Sequence, residues 1–309
     1  MKLIVLAVMA VYASAIAHIH LRGKVRLPLL RQIVNHSSWL APYNALVDLN
    51  SRTPRRPYID RALFPELDVL KQNWQTIREE ALKLQDEGFI RDALANNEAG
   101  FGSFFKKGWT RFYLSWYDGP LPSAQRLCPK TVELLSSIPN VKGAMFTRLP
   151  AGSHLNKHRD PFAGSLRYHL GLDTPNSPNC RIYVDGLPYA WHDGEDVMFD
   201  ETYVHWVENE TDQSRLILFC DIERPLKSSA LVSLNRRVSA WLGRATAPQN
   251  VEGERVGAIN RAYAKVIGIG DAIGKPVKRF KRANPKAYKI GRVVLAAALG
   301  LALLNAVFG

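Results

Sequence analysis

The chain has 309 residues, 47% of them hydrophobic, which is enough for one sizeable core with extensions. Its formal net charge is +13, but residues 224–292 contain 16 Lys/Arg against 3 Asp/Glu and so carry the whole excess, which excludes a basic surface spread over the entire molecule. The three cysteines lack CxxC spacing and favour buried thiols in a reducing compartment over a disulfide framework.

The N-terminal segment has the composition of a membrane helix. Residues 3–17 carry no charge, and basic side chains follow them: Arg22, Lys24, Arg26 and Arg31. Basic residues downstream of an apolar run resist translocation, so this asymmetry predicts an uncleaved membrane anchor over residues 1–21 with its downstream end in the cytoplasm. The alternative is a cleaved signal peptide, because Ala13-Ser14-Ala15 resembles a cleavage site.

Two helices and an aromatic-rich segment are predicted after the anchor. Residues 22–62 contain four prolines and are predicted to be irregular. Apolar residues at three- and four-residue spacing predict one helix from Pro65 to Asp86, and a second is predicted from Ser123 to Ser137, where Pro139 stops it. Residues 101–117 are dense in aromatic side chains, which indicates buried strand positions; the alternative is a groove for an acyl chain.

The central part of the chain has the pattern of a β-protein. From 141 to 225, short strand-like segments alternate with turn residues such as Pro150-Ala151-Gly152 and Asp185-Gly186. Strands of this length at near-even spacing predict a double-stranded β-helix (jelly roll), flanked by helices. Residues 22–225 are therefore predicted to form one domain around a mostly β core.

The C-terminal part changes in character. Residues 226–292 are predicted to form basic amphipathic helices, the first of which has several apolar side chains on one face: Leu231, Leu234, Val238, Trp241 and Leu242. Residues 293–309 contain no charge and predict a second membrane segment; a buried or partner-binding helix is the alternative. Basic residues beside an apolar run attract an anionic membrane surface. Two apolar ends have no role in a nucleic-acid-binding protein, so no nucleic-acid partner is predicted.

Three residues in the central part form a candidate metal site. His158 and Asp160 are two residues apart, and on a strand they would project to one face. With His205 they supply two imidazoles and one carboxylate, the ligand set of a facial triad for Fe(II). Arg215 opens the next apolar run, where a guanidinium can hold a dicarboxylate by a two-pronged contact.

Neighbouring polar residues receive other roles. A His-Arg-Asp sequence also opens a protein-kinase catalytic loop, but Ser165 stands where that loop needs Asn, so a kinase is excluded. His154 and His192 are predicted not to be ligands. Asp200 and Glu201 are predicted to form a turn before His205; the alternative is that they orient the metal ligands.

Residues 145–226 resemble the aspartyl/asparaginyl β-hydroxylase family. The resemblance rests on the motifs His158-Arg159-Asp160-Pro161, Ser165-Leu166-Arg167-Tyr168-His169-Leu170-Gly171-Leu172, Phe199-Asp200-Glu201-Thr202-Tyr203-Val204-His205 and Arg215-Leu216-Ile217-Leu218-Phe219. Almost the whole chain resembles a bacterial branch of this family that hydroxylates lipid A. The animal-type protein hydroxylases resemble the chain only in its core and carry Gly where Asp160 stands.

This resemblance implies an Fe(II)- and 2-oxoglutarate-dependent dioxygenase that uses O2 as co-substrate. It implies that His158, Asp160 and His205 bind iron, and that 2-oxoglutarate is bound by a second group: Arg215, Arg167, His169 and Thr147. The implied substrate is lipid A or a related acylated glycolipid, hydroxylated at C2 of a secondary acyl chain. The implied location is the bacterial inner membrane, with the catalytic domain facing the cytoplasm. Two alternatives remain open: a protein aspartyl/asparaginyl hydroxylase and a non-enzymatic jelly-roll metal-binding module.

Overall fold

The computed structural model describes residues 2–33, 35–91, 98, 102–105, 107–266, 279 and 282–284. The predicted C-terminal membrane segment 293–309 and most of the basic region 267–292 lie outside the described residues. The strands are β1 Tyr58–Ile59, β2 Thr110–Trp116, β3 Val141–Leu149, β4 His154–His158, β5 Ser165–Asp173, β6 Cys180–Val184, β7 Leu187–Ala190, β8 Asp196–Phe199, β9 His205–Asn209 and β10 Arg215–Glu223.

These strands form two antiparallel sheets that enclose the site. The larger sheet has the order β1-β8-β5-β10-β3-β2, and the smaller has the order β4-β9-β6-β7. Asp185 and Gly186 both have positive φ and form the two-residue turn between β6 and β7, as the sequence predicted. The jelly-roll prediction is confirmed by this architecture: from β3 to β10 the chain alternates between the two sheets, apart from the β6–β7 hairpin within the smaller one.

The larger sheet is buried on both faces. Every residue of its central strand β10 is buried, because β5 and β3 flank it and its two faces are both covered. The outer face packs against two helices, α6 Trp74–Asp86 and α9 Pro129–Ser136, whereas on the inner face the Phe199 ring contacts His205 of the smaller sheet. Apolar side chains that alternate along the strands fill the space on the helix side, for example Leu166, Tyr168 and Leu170 on β5. The opposite face of β5 is then free to carry polar groups.

Each of two predicted helices is interrupted near its middle by a residue that does not continue the helix. The helix predicted from Pro65 to Asp86 is a short turn followed by α5 Asp68–Gln72 and α6 Trp74–Asp86, and Asn73 separates them with its side chain on the Val69 carbonyl. The helix predicted from Ser123 to Ser137 is likewise two helices, α8 Pro122–Leu127 and α9 Pro129–Ser136. Pro129 forces this break, because it has no N–H and disfavours a helical residue before it.

The prediction that residues 22–62 are irregular is wrong. Helix α1 Lys2–Leu21 is followed by three further helices: α2 Leu29–Ile33, α3 His36–Trp39 and α4 Ala41–Leu49. Two of the four prolines that suggested irregularity, Pro28 and Pro42, stand where helices begin. Pro42 occupies the first turn of α4, where a missing N–H costs nothing, and the Pro28 carbonyl accepts a hydrogen bond from Gln32 at the start of α2.

The segment after β10 packs on the core. Helix α10 Ser229–Ala245 begins at Ser228, whose hydroxyl accepts a hydrogen bond from the Leu231 N–H. Beyond it, Asn250 is buried and exchanges hydrogen bonds with the backbone of Tyr113 in β2. The predicted amphipathic helix is therefore present, and residues 258–266 are helical as well. This part of the predicted tail is joined to the β-domain by buried contacts.

Candidate functional site

The three predicted metal ligands converge between the sheets. His158 ends β4, His205 begins β9, and the two pair in register within the smaller sheet. Asp160 follows β4 by two residues, and its Oδ1 lies 3.7 Å from His158 Nε2 and 3.8 Å from His205 Nε2. One ligand atom of each residue lies within 4.8 Å of the others, so one ion between them can contact all three.

Both histidines are held in the tautomer that a metal ligand requires. His158 Nδ1 lies 2.7 Å from the Asn156 carbonyl, and His205 Nδ1 lies 3.0 Å from the Tyr203 carbonyl. A carbonyl only accepts a hydrogen bond, so each Nδ1 carries the proton. Each Nε2 therefore has a free lone pair, which an ion beside the Asp160 carboxylate could accept. Burial lowers the pKa of His158 to about 3 and also lowers that of His205, so both rings are neutral at physiological pH.

Asp160 is held in place by one side chain and one backbone bond. Its backbone N–H donates to the Glu201 carbonyl at 3.1 Å, and its Oδ2 accepts from Arg167 Nη2 at 2.7 Å. This leaves Oδ1 directed at the two imidazoles. Burial alone would raise the pKa of Asp160, but Arg167 and then the two histidines lower it below its ordinary value. The carboxylate is therefore charged and oriented for an ion.

Arg167 lies among three carboxyl groups. Besides Asp160, its Nε lies 2.9 Å from Glu201 and 3.0 Å from Asp221, and its guanidinium covers the Phe219 ring at 3.6 Å. Burial raises the pKa of Glu201 to about 8, so the three carboxyl groups are not all charged at neutral pH. Because its Nη2 donates to Asp160 while Glu201 and Asp221 lie within ion-pair distance of its Nε, we interpret Arg167 as the residue that orients Asp160. Its predicted contact with 2-oxoglutarate stays a prediction.

Arg215 is buried without a counter-ion among the described residues. It is 2% exposed, its Nη2 donates to Thr147 Oγ1 at 3.4 Å, and its guanidinium lies 4.5 Å from the centre of the Trp191 ring. Its Nε has no hydrogen-bond partner, and burial lowers its pKa to about 10. A buried, unpaired guanidinium is costly, so this position fits an anion that arrives from outside the chain.

A second set of unpaired polar atoms lies beside Arg215. Within the described part of the chain, neither ring nitrogen of His169 has a hydrogen-bond partner, nor does the indole N–H of Trp191, although all three atoms are buried. His169 stacks on Phe219 with 5.2 Å between ring centres and lies 5.9 Å from Trp191. Burial, followed by the nearby guanidinium groups of Arg167 and Arg215, lowers the pKa of His169 well below its ordinary value. A neutral imidazole here can donate to or accept from a bound carboxylate.

A chain of ring contacts joins these residues to the metal ligands. Phe199 lies 5.0 Å from His169 and 5.8 Å from His205, measured between ring centres. The smaller sheet thus supplies the two histidines, and the larger sheet supplies Arg167, His169 and Arg215 on strands β5 and β10. Arg167 and His169 share the inner face of β5, as alternation along a strand predicted.

Sequence reasoning missed several residues of the site. Asp221 and Phe219 follow Arg215 at even spacing on β10, so strand periodicity alone places them on the same face. Glu201 was predicted chiefly as a turn residue, but its side chain lies on Arg167 and Ser165, which supports the orienting alternative. Trp191 stands outside the strands and carries no local signal. Its position depends on how the turn after β7 folds back over β5.

The aromatic segment divides into core and site. Phe112 and Tyr113 are buried in the main hydrophobic cluster, in agreement with predicted strand positions. Phe104, in helix α7 Gly102–Phe105, instead meets the His158 ring edge-on with 4.8 Å between centres. One aromatic ring of this segment therefore covers a predicted metal ligand, while the strand residues fill the core.

The comparisons with known proteins agree with this site. The sequence model of the aspartyl/asparaginyl β-hydroxylases matches residues 71–225, half of the chain, and covers every predicted site residue. The chain belongs to this family. It is 33% identical to the ornithine lipid ester-linked acyl 2-hydroxylase of Rhizobium tropici, over 56% of this chain and 63% of that protein. It is 29% identical to human aspartyl/asparaginyl β-hydroxylase, over 50% of this chain and 21% of that protein.

The chain thus spans less than two thirds of the curated relatives named here. Among solved structures it is similar to a prolyl-4-hydroxylase from Pseudomonas putida, with a TM-score of 0.33, 16% identity and coverage of 51% of this chain and 87% of that one. It is also similar to the cupin domain of Schizosaccharomyces pombe Cnp3, with a TM-score of 0.26, 7% identity and coverage of 37% and 64%.

The site fits the two groups that this family implies. Two neutral imidazoles and one charged carboxylate are a donor set for a divalent ion such as Fe(II). The orphaned Nε of Arg215, the unpaired His169 ring and the Trp191 N–H fit a small molecule that carries carboxylates. The hydrogen bond from Arg215 to Thr147 brings together two of the residues predicted to bind 2-oxoglutarate.

Replacing Arg167 tests its role in orienting Asp160. We expect Arg167→Ala to weaken Fe(II) binding about tenfold to a hundredfold, because the carboxylate loses its hydrogen-bonded partner. It should also cost about 3–5 kcal/mol of unfolding free energy, because buried acids are left without a cation. Anaerobic Fe(II) titration and chemical denaturation measure the two effects.

A second variant and a matched control keep this test decisive. Arg167→Lys retains the charge and should recover stability more than metal affinity, since one ammonium cannot reach three carboxyl groups in the same geometry. Arg181 pairs with Glu208 and Glu210 on the outside of the smaller sheet, and its replacement by alanine should leave iron binding unchanged. Unaltered iron binding in Arg167→Ala would contradict the orienting role.

Proposed function

We propose that this protein is an Fe(II)- and 2-oxoglutarate-dependent dioxygenase that hydroxylates an acyl chain of a membrane lipid, with lipid A as its substrate. The observation that carries the proposal is the pairing of two features in one barrel. A carboxylate and two neutral imidazoles converge on one point, and a buried guanidinium nearby has no anionic partner in the described part of the chain. Family membership and the apolar helix α1 support it from independent directions.

Each residue of the site has a defined task in this proposal. His158, Asp160 and His205 hold Fe(II) and leave the remaining positions of the ion free. Bound iron would allow O2 to act as the oxidant: one oxygen atom would enter the C–H bond, and the other would enter succinate as 2-oxoglutarate loses CO2 and supplies two electrons. Arg215 and Thr147 bind the carboxylate of 2-oxoglutarate farther from the metal, and His169 contacts the co-substrate between them.

The surrounding apolar side chains exclude water from this chemistry. Phe199 and Phe219 enclose His169, and Phe104 covers His158. Excluding water strengthens the ion pair between Arg215 and a bound carboxylate and protects reactive species from side reactions. A substrate that presents a plain alkyl chain suits such a lining better than a charged one does.

The lipid substrate is inferred from two observations. Helix α1 is long and apolar enough to cross a membrane, with a mean hydropathy of 2.0 and only 11% of its apolar window buried. The relative from Rhizobium tropici is named for hydroxylating an ester-linked acyl chain of ornithine lipid at position 2. By the same chemistry we propose C2 of a secondary acyl chain of lipid A as the position hydroxylated here.

The proposed location is the bacterial inner membrane, with the β-domain on the cytoplasmic side. Basic residues follow α1 directly, and a cytoplasmic position of such residues is the general rule for membrane proteins. The described cysteines Cys128, Cys180 and Cys220 are free thiols, in keeping with a reducing compartment. Fe(II) and 2-oxoglutarate are both available there.

Mass spectrometry of membrane lipids tests the proposal. Cells that make the protein should contain lipid A with one additional oxygen atom on an acyl chain, and cells that make His205→Ala should not, because a metal ligand is lost. The purified protein should convert 2-oxoglutarate to succinate only with Fe(II) present. Absence of succinate with iron bound would instead indicate a non-enzymatic metal-binding module.

A protein substrate is the second candidate, favoured by the similarity to human aspartyl/asparaginyl β-hydroxylase. Peptides and lipids from the cells that make the protein and from those that make His205→Ala are compared by mass spectrometry. An additional oxygen on Asp or Asn of a peptide, with lipids unchanged, would replace the lipid proposal and retain the iron chemistry.

A further inference from the structure

Helices α2 and α3 have an inverted distribution of polar and apolar side chains. On the side that faces the protein, Gln32 is fully buried and donates to the hydroxyl groups of Ser37 and Ser38, which are buried too. The opposite side is exposed and apolar. Its residues, termed the apolar platform below, are Leu29, Leu30, Ile33 and Trp39. Leu30 is 80% exposed and Trp39 is 72% exposed, which a surface in water rarely shows in such a cluster.

We propose that the apolar platform lies in the interface of the lipid bilayer and holds the metal site at the membrane surface. This inference rests on the proposed function, because it assigns the route by which a lipid substrate reaches the iron. The platform is thus covered by lipid and not by another protein.

The first argument is continuity with α1. Within this helix, residues 2–14 project freely, whereas Ala15 and Ile19 pack on Ala41 and Ala45 of α4. Thirteen helical residues measure about 20 Å, which is less than the roughly 30 Å of bilayer hydrocarbon. The whole helix α1, of 20 residues, is therefore needed to cross a bilayer, and the part of α1 that packs on α4 must lie at the membrane as well. Helix α2 contacts α1, so the platform lies at the same level.

The second argument is that the residues directly after α1 are bonded to the β-domain. Arg22 binds Asp200 at 2.6 Å and Asp48 at 3.0 Å, and the N–H groups of Lys24 and Val25 both donate to Asp185 Oδ1. Gly23 has φ +82°, and a Cβ there would lie 2.6 Å from Asp185 Oδ1. The chain is thus fastened to the β-domain directly after the helix, so the position of α1 determines that of the domain.

The third argument is that the same elements touch the backbone around the metal ligands. Arg31 donates to the Lys157 carbonyl, and a His36 ring nitrogen lies 2.9 Å from the Arg159 carbonyl, which places one contact on each side of His158. Asn44 in α4 donates to the Pro161 carbonyl at 2.8 Å, one residue after Asp160. A membrane at the platform is therefore separated from two metal ligands by single side chains.

Helix α10 supports the same assignment independently. Its buried face is small and polar, with Asn235, Ser239 and Gly243, and Asn235 Nδ2 donates to the Gly164 carbonyl near the metal site. Its exposed stripe consists of Leu234, Arg237, Trp241 and Arg244. Tryptophan and arginine side by side with leucine are typical of helices that lie at the headgroup level, where the ring is half-immersed and the cations meet anionic lipid.

A fluorescence depth measurement tests the proposal. The full-length protein is placed in nanodiscs of phosphatidylglycerol and phosphatidylethanolamine, with an environment-sensitive label on Leu30→Cys or Trp241→Cys. The native cysteines are buried and leave the label specific. The matched control is Leu63→Cys, also an exposed leucine. Leu63 lies away from α1: its neighbour Arg61 binds Asp196 at the start of β8, whereas Arg22 binds Asp200 directly after the end of β8. The two positions on the strand are roughly 13 Å apart.

Labels at 30 and 241 should be quenched by lipids that carry a quencher near the headgroup, and should be about tenfold less accessible to iodide in water than the label at 63. Iodide access at 30 or 241 equal to that at 63 would overturn the proposal. Shielding from both quenchers would overturn it too, since it would indicate a second copy of the chain on this surface. Neither result depends on turnover, so a failed platform with retained lipid hydroxylation is distinguishable from failure of the proposed function.

Discussion

Arg215→Ala is expected to raise the 2-oxoglutarate concentration needed for half-maximal turnover by about a hundredfold or more, while the Fe(II) requirement changes little. Truncating one partner of a buried, hydrogen-bonded charge pair costs about 2–5 kcal/mol, and each 1.4 kcal/mol is tenfold in affinity. The free protein should keep its stability or gain some, because Arg215 is buried without an anion among the described residues. Succinate formation at varied co-substrate and iron concentrations measures both requirements.

A neighbouring arginine provides the matched control for this prediction. Arg148 lies on β3, one residue from Thr147, and bonds to Ser214 instead of facing the site. Arg148→Ala should leave both requirements near those of the unaltered protein, because alternation along a strand directs it to the other face. If Arg215→Ala raised the iron and 2-oxoglutarate requirements equally, the residue would support the metal centre and not bind the co-substrate.

Asp160→Ala is expected to abolish turnover and to weaken Fe(II) binding by more than about a hundredfold, the upper limit for losing an outer hydrogen-bond partner of a ligand. The carboxylate is the only anionic ligand among the three, and its Oδ1 lies within 3.8 Å of both Nε2 atoms. Removing it also takes one of three acids from Arg167, which retains Glu201 and Asp221 and stays neutralised. The fold should therefore survive, as circular dichroism and thermal unfolding will show.

The control for Asp160 is a histidine on β4, the strand that precedes it. His154 is exposed at the start of β4, where its ring meets Lys107 at 3.2 Å, away from the metal ligands. His154→Ala should retain both iron binding and succinate formation. Sustained turnover by Asp160→Ala would mean that two imidazoles suffice for iron, and the three-ligand site would have to be abandoned.

Some features of the site follow from local pattern. Period-two alternation places Arg167 and His169 on one face of β5, and the same rule applied to β10 would have placed Asp221 with Arg215. The jelly roll itself was readable from short strands and turn residues such as Asp185-Gly186, whose conformation few other pairs adopt as easily. In each case the determining interaction spans only a few residues of sequence.

Other features depend on contacts between distant segments. The prolines at 28 and 42 were interpreted as breakers, and only the packing of α4 on α1 shows that they begin helices. Helix α10 was correctly predicted as amphipathic, but its apolar residues Leu234 and Trp241 lie outside because Asn235 is needed by the Gly164 carbonyl. Periodicity identifies the two faces of a helix and does not determine which of them is buried.

By itself, the amino-acid sequence determined which chemical groups this protein can bring to a reaction: two imidazoles, a carboxylate and a strand-borne guanidinium, spaced to meet in a β-barrel. Only the tertiary structure decided which of these groups have partners. Among the residues that the structure describes, Arg167 forms ion pairs with three acids and Arg215 with none, although both are buried arginines on adjacent strands. A buried charge is costly unless it is paired, and the pairing groups come from distant parts of the chain. The spacing of residues along one strand therefore cannot predict which arginine is paired.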